Sequence, residues 1–99
     1  MGLDQTFYLE NSYESKELLY YRKFPELHKA IEEIKGEPVG NCVIVPLTPE
    51  ELTEVLDFFL SNPEVYWGWD EERMGYYYAI GVISYYIFKD KPLYYEGSW

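Results

Sequence analysis

Short apolar blocks with little helical period mark the predicted strands. Residues 6–9 (Thr-Phe-Tyr-Leu) end at a turn-forming Asn-Ser pair and predict a first strand. Residues 18–21 are equally apolar but too short to be assigned to strand or helix by period alone. Residues 42–45 follow a Gly-Asn turn, are rich in β-branched side chains and end at Pro46. We expect them to form the strongest strand, at the centre of the sheet.

Two segments carry apolar residues at helical spacing between clear start and stop signals. The first begins at Pro25, which suits the first turn of a helix, and ends at Gly36. The second begins at Thr48, with Pro49 at the first helical position and Glu51 completing a capping box. Both predict amphipathic helices that bury one face.

A third helix is predicted from Asp70 to about Phe88. Its apolar residues lie almost all round the helix, so we expect it to be the central packing element. After Lys91-Pro92 the chain resumes in an extended form at residues 93–95. The predicted fold is α+β, with about three helices packed on a small, mostly antiparallel sheet, as a single domain spanning residues 1–99.

Composition narrows the class of protein. The 99 residues are 47% hydrophobic and include twelve Tyr, which is ample for a core and leaves some aromatic surface exposed. A single Cys excludes an internal disulfide and favours a reducing compartment. Neither a signal peptide nor an apolar run of about 18 residues is visible, so we expect a cytoplasmic protein, in the bacterial host given the resemblance below, that does not enter membranes.

Charge is concentrated in the middle of the chain. The chain has a net charge of −10. Nine acidic residues and no basic residue lie between Lys35 and Arg73. Such a field repels nucleic acid and steers toward basic partners, although a solvated helix face is the plainer interpretation. The predicted partner-binding residues are the acids of two helix starts and two aromatic anchors: Glu50, Glu51, Glu54, Asp57, Asp70, Glu71, Glu72, Trp67 and Trp69.

One small group of residues resembles a catalytic site. Cys42, His28 and Arg22 could form a thiolate–imidazole pair beside a cation. The alternative is that Cys42 is a small buried hydrophobe and His28 a surface or boundary residue. One His and one Cys cannot complete a zinc site, and the carboxylates lack the spacing of a calcium loop, so no metal or cofactor is predicted.

Several short pieces of the chain resemble a family of small phage and prophage proteins. Tyr21 stands where that family has Trp, and Gln5-Thr6 stands where it has a Met-Tyr pair. The matching pieces are the opening Met1-Gly2-Leu3-Asp4, the block Tyr20-Tyr21-Arg22-Lys23 with His28, the unit Asn41-Cys42 leading into residues 43–52, and the ending Tyr94-Tyr95-Glu96-Gly97-Ser98-Trp99.

The resemblance implies a phage or mobile-element origin but no activity. Small acidic phage proteins often bind and block a host protein, in some cases by mimicking DNA or by countering host defence. The leading hypothesis is therefore a non-enzymatic accessory protein that binds a basic host protein, and the alternative is a small enzyme using Cys42 and His28. The aromatic excess also favours a symmetric homodimer, with Tyr94, Tyr95 and Trp99 at or near the contact.

Overall fold

Three helices and a four-stranded antiparallel sheet make up the fold, which confirms the predicted α+β class. The computed structural model describes residues 3–11, 14–61 and 70–99, with side chains in the last range described from residue 76 onward. In chain order the elements are β1 (Asp4–Tyr8), β2 (Glu17–Arg22), α1 (Pro25–Lys35), β3 (Val43–Leu47), α2 (Pro49–Ser61), α3 (Asp70–Phe88) and β4 (Leu93–Ser98).

The sheet has the order β2-β1-β4-β3, so the last strand of the chain lies inside the sheet. Phe7 of β1 pairs with Leu19 on one side and with Tyr95 on the other, and Val45 pairs with Tyr95 from the far side. The prediction that residues 42–45 form a central strand is therefore wrong, because β3 is an edge strand. Pro46 gives a physical reason, since proline has no N–H for a second ladder and is found at sheet edges.

One face of the sheet packs against the helices. Phe7, Leu19, Tyr95 and Leu93 point to this inner face, and each is buried. The helical residues enclosed with them are Leu27, Ile31, Leu52, Val55, Phe59, Ala79 and Ile83. Helix α2 packs between α1 and α3, so it holds the central place among the helices.

The ends of α1 and α2 follow their sequence signals. Gly36 ends α1 in the left-handed region at φ 74°, and its N–H donates to the carbonyl of Glu32. At the start of α2, the backbone N–H of Glu51 donates to Thr48 Oγ1 at 3.2 Å, and the N–H of Thr48 donates to Glu51 Oε1 at 3.0 Å. This reciprocal pair confirms the predicted capping box.

Helix α3 differs from its prediction as the central packing element. Among its described side chains only Ala79 and Ile83 are buried, whereas Tyr77 is 69% exposed and Phe88 is 84% exposed. Tyrosine tolerates this exposure because its hydroxyl remains in water while the ring covers neighbouring apolar surface. The two predicted aromatic anchors, Trp67 and Trp69, lie outside the described residues. Within the described ranges, no helix combines the length and apolar character needed to cross a membrane.

Candidate functional site

A groove of about 350 Å³ opens between α1 and α2. Its apolar lining comes from Ala30 and Ile34 of α1 and Phe58 of α2. Each helix places acids beside this apolar surface at i, i+3 or i, i+4 spacing, because such residues share a helical face. The charged lining residues are Glu33, Glu54 and Asp57, and none of the seven side chains that line the groove is basic.

Two predicted partner-binding residues of α2 take different places. Glu50 is exposed beside the groove-facing acids, as the sequence suggested. Glu51 is instead engaged within the fold, because Lys35 Nζ donates to its Oε1 at 3.0 Å and also to the carbonyl of Pro46 at 2.8 Å. Partial burial acts to raise the pKa of Glu51, but the hydrogen bonds from Thr48 and Lys35 outweigh burial and hold that pKa below its usual value.

The remaining predicted acids lie at or before the start of α3. That helix begins at Asp70, but the side chains of Asp70, Glu71 and Glu72 are outside the described residues, as are Trp67 and Trp69. Sequence reasoning missed Glu33, which the structure brings opposite Glu54 and Asp57. The helical spacing of Glu33 next to Ile34 was the available signal, but only the packing of α1 on α2 puts the two acidic faces together.

His28 is held between the core and the C-terminal strand. Its Nδ1 lies 2.7 Å from the hydroxyl of Tyr95, and its Nε2 lies 3.2 Å from the carbonyl oxygen of Val39. The edge of the ring system meets Trp99, with ring centroids 5.2 Å apart. The side chain is only 13% exposed, so His28 belongs to the boundary of the core.

Hydrogen bonding around Gln5 assigns the protons on His28 and Tyr95. The Gln5 amide donates to the carbonyl of Phe24 at 2.8 Å and to the Tyr95 hydroxyl at 3.2 Å, while its oxygen accepts from the N–H of Phe24. The Tyr95 proton is then free to point at His28 Nδ1, which leaves Nε2–H to donate to Val39. Burial is the main cause that raises the pKa of Tyr95, and the bond from Gln5 offsets only part of it.

Cys42 is exposed, so the expectation of a small buried hydrophobe is wrong. It sits at φ 60°, just before β3, where its N–H donates to the carbonyl of Gly97 at 2.9 Å. Its Sγ lies 3.4 Å from Asn41 Oδ1 and 3.6 Å from Ser98 Oγ. The thiol therefore contacts the polar end of the sheet.

The three candidate catalytic residues are spread over the fold. Arg22 ends β2 on one edge of the sheet, and Cys42 precedes β3 on the other edge. Three strand spacings separate those edges by roughly 14 Å. The two ring nitrogens of His28 face Tyr95 and Val39, as described above. This arrangement gives no direct support to a Cys–His pair activated by Arg22.

A larger cleft, which the sequence did not predict, lies beside His28. It measures about 810 Å³, and its walls include Leu3, Pro25, Val39 and Trp99. Its size and apolar walls are in the range of small-molecule sites. Trp99 is 44% exposed on this wall, whereas Tyr95, also expected at a self-association surface, is fully buried in the core.

Comparisons with known proteins do not add a family to this description. No model of a protein family matches the chain, and no similar protein is found among curated proteins or among solved structures. Over the described residues, no three His, Cys, Asp or Glu side chains come together as a metal ion would require.

Proposed function

We propose that this chain is a non-enzymatic binding protein whose groove between α1 and α2 accepts a basic segment of a protein partner. The observation that carries the proposal is the juxtaposition of Glu33, Glu54 and Asp57 around an apolar floor. Long Lys and Arg side chains suit such a groove, because their methylene stems cover apolar surface while their charged ends meet carboxylates. A short amphipathic basic helix is the simplest segment of this kind.

The overall charge supports the same class of partner. A net charge of −10 steers basic proteins toward the surface and disfavours nucleic acid and anionic lipid. Together with the resemblance to small phage proteins, this makes a host protein with a basic surface the proposed target. Blocking a nucleic-acid enzyme of a defence system, by presenting carboxylates where phosphates would bind, is one form that such an interaction would take.

The groove can be tested with a defined probe. We expect a fluorescent amphipathic peptide of about 15 Lys and Leu residues to bind at low salt and to weaken as salt is added, since exposed charges are screened within about 10 Å at 0.1 M. Its affinity should fall at least about tenfold, or about 1.4 kcal/mol, in the variant Glu54→Lys/Asp57→Lys. Pull-down from a bacterial lysate with the same pair of proteins should then identify the natural partner.

The matched control reverses two charges elsewhere. Glu10 and Glu17 are exposed on the β1–β2 side of the molecule, so Glu10→Lys/Glu17→Lys changes the net charge equally without touching the groove. This control should lose much less affinity than the groove variant. Equal losses in the two variants would show that only net charge matters and would refute the groove as the binding site.

A further inference from the structure

A second polar site lies on the face of the sheet opposite the helices. Among the described residues, four buried side chains do not belong to the hydrophobic core cluster: Gln5, Thr6, Tyr8 and Glu96. Gln5 is accounted for by its bonds to Phe24 and Tyr95. The other three share the outer face, because side chains alternate along a strand and directly paired residues point to the same side. We call Thr6, Tyr8 and Glu96 the outer patch.

Glu96 stands at the centre of this patch. It pairs with Thr6 of β1 and with Ile44 of β3, and Tyr94 and Ser98 lie next to it along β4 on the same face. Its exposure is only 7%. No hydrogen-bond donor from the described ranges reaches its carboxylate, although the oxygens remain open to solvent.

Charges around the patch add to this negative site. Asp4 lies two residues before Thr6, at the next same-face position of β1, and its Oδ1 accepts a hydrogen bond from the Tyr20 hydroxyl at 2.7 Å. Burial first, and then the negative charge of Glu96, raise the pKa of Tyr8, which places that ring close to the carboxylate. Two basic residues lie near this part of the sheet: Arg22 stands opposite Asp4 in the β1–β2 register, and Lys91 lines a pocket with Tyr94.

Glu96 is largely enclosed, and its carboxylate oxygens meet solvent instead of a donor from the described residues. A cation with hydrogen-bond donors can replace that water and pair with the carboxylate. A lone carboxylate is too few ligands for a metal ion, whereas the neighbouring tyrosine rings favour a flat organic cation that stacks on them.

We propose that the outer patch binds the guanidinium group of an arginine side chain presented by a partner protein. A guanidinium is planar, pairs with a carboxylate through two parallel N–H bonds and stacks on aromatic rings, which a lysine ammonium does not do. The half-buried Tyr94 precedes Glu96 by two residues on the same face of β4 and supplies a ring, whereas the exposed Tyr20 lies further out, beyond Thr6 on β2. The inference is independent of the proposed groove, because the two sites lie on opposite sides of the sheet.

The test uses a short peptide and its neutral analogue. Acetyl-Gly-Arg-Gly-amide, added to ¹⁵N-labelled protein, should shift the amide resonances of residues 6, 8 and 96. The same peptide with citrulline in place of arginine keeps the shape but lacks the charge, and it should leave these resonances unmoved. A lysine peptide should bind at least about threefold more weakly, since it lacks the fork of donors.

Two variants of equal charge separate the patch from general electrostatics. Glu96→Gln should abolish the arginine-dependent shifts, because it keeps the shape of the side chain but removes the charge that pairs with a guanidinium. Glu50→Gln removes the same charge from the exposed surface of α2 and should leave the shifts intact. A third variant, Tyr94→Leu, keeps the carboxylate and should weaken binding by removing a ring.

Several outcomes would overturn the inference. They are citrulline binding as well as arginine does, Glu96→Gln binding as the natural chain does, and shifts that fall on the α1–α2 groove instead of on β1 and β4. The last result would still agree with the proposed groove. Equal losses of the Lys and Leu peptide in the groove variant and its control would refute the groove but leave the outer patch unaffected. The two proposals therefore fail separately.

Discussion

The hydroxyl of Tyr95 lies 2.7 Å from Nδ1 of His28, and this contact joins the inner strand β4 to helix α1. Gln5 on β1 donates to the same hydroxyl, so three elements meet at one oxygen atom. One arrangement of protons lets all of these groups form their hydrogen bonds. The two N–H groups of the Gln5 amide donate to Phe24 and Tyr95, and the one N–H of a neutral imidazole donates to Val39. The network therefore fixes the position of the ring that lines the apolar cleft.

Removing the hydroxyl tests this network. Tyr95→Phe leaves a Gln5 N–H and His28 Nδ1 without their partner in a buried place, which should cost about 1–3 kcal/mol of unfolding free energy. For a domain of this size, each kcal/mol corresponds to a fall of roughly 4–8 °C in the thermal midpoint. Tyr77→Phe, on the exposed face of α3, is the matched control and should stay within about 0.5 kcal/mol. Equal midpoints for the two variants would contradict the network.

The same tyrosine should make stability depend on alkaline pH. Burial raises the pKa of Tyr95 above its ordinary value of 10.0, so the folded chain holds a proton that the unfolded chain releases. This contribution is fully present below pH 10 and is lost as the pH rises through the folded-state pKa. Urea unfolding at a series of pH values should therefore show falling stability above about pH 10, with a shallower slope in Tyr95→Phe. An unchanged slope in the variant would count against this role.

Gly97 of β4, two residues after Tyr95, lies directly against His28 of α1. A Cβ at residue 97 would stand 2.9 Å from His28 Nδ1 and 3.2 Å from the Tyr95 hydroxyl. Because that imidazole is held on both nitrogens, Gly97→Ala should destabilise the fold by about 1–3 kcal/mol. Gly81→Ala offers the opposite case, since a Cβ there meets nothing within 4 Å on exposed α3. It should stabilise by about 0.5–1 kcal/mol, and calorimetry on both variants would expose any error of sign.

Local signals in the sequence predicted the helix ends well. Thr48 and Glu51 close their capping box as expected, and Gly36 ends α1, because these interactions involve residues only a few positions apart. The sequence also predicted exposed acids on α2, since Glu50 and Glu54 follow from helical spacing alone. Such features need no knowledge of the tertiary fold.

Features set by long-range pairing were harder to predict. Glu96 and Gly97 interrupt the apolar pattern of the C-terminal strand, so its central place emerges only from its pairing with β1 and β3. The groove needs Glu33 and Asp57 to meet across two helices, and the outer patch needs Glu96 to lie between two other strands. The sequence pattern overestimates the burial of helix α3, because tyrosines count as apolar in such a pattern yet remain exposed in the structure.

The bond between Lys35 and Glu51 predicts a loss of stability in acid. The pKa of Glu51 is held below its ordinary value of 4.5, so its contribution is present above that pH and is lost as the pH falls through the folded-state pKa. Glu51→Gln keeps a capping side chain but removes the titrating charge, and it should flatten the decline of stability below about pH 4.5. Glu50→Gln is the matched control and should retain the decline. Identical acid profiles for the two variants in urea unfolding would contradict the assignment.

The exposed thiol of Cys42 separates the binding hypothesis from the enzymatic alternative. Because the side chain is exposed, we expect a disulfide reagent such as Ellman's to label one thiol per native chain without denaturant, at a rate approaching that of the unfolded chain. His28→Gln offers a side chain that can still accept from Tyr95 and donate to Val39, so the fold should be retained. If Cys42 acts independently of the imidazole, labelling of this variant near neutral pH should proceed at the same rate. A strongly slowed reaction in the folded variant would instead show that His28 activates the thiol, and it would favour a small enzyme over a binding protein.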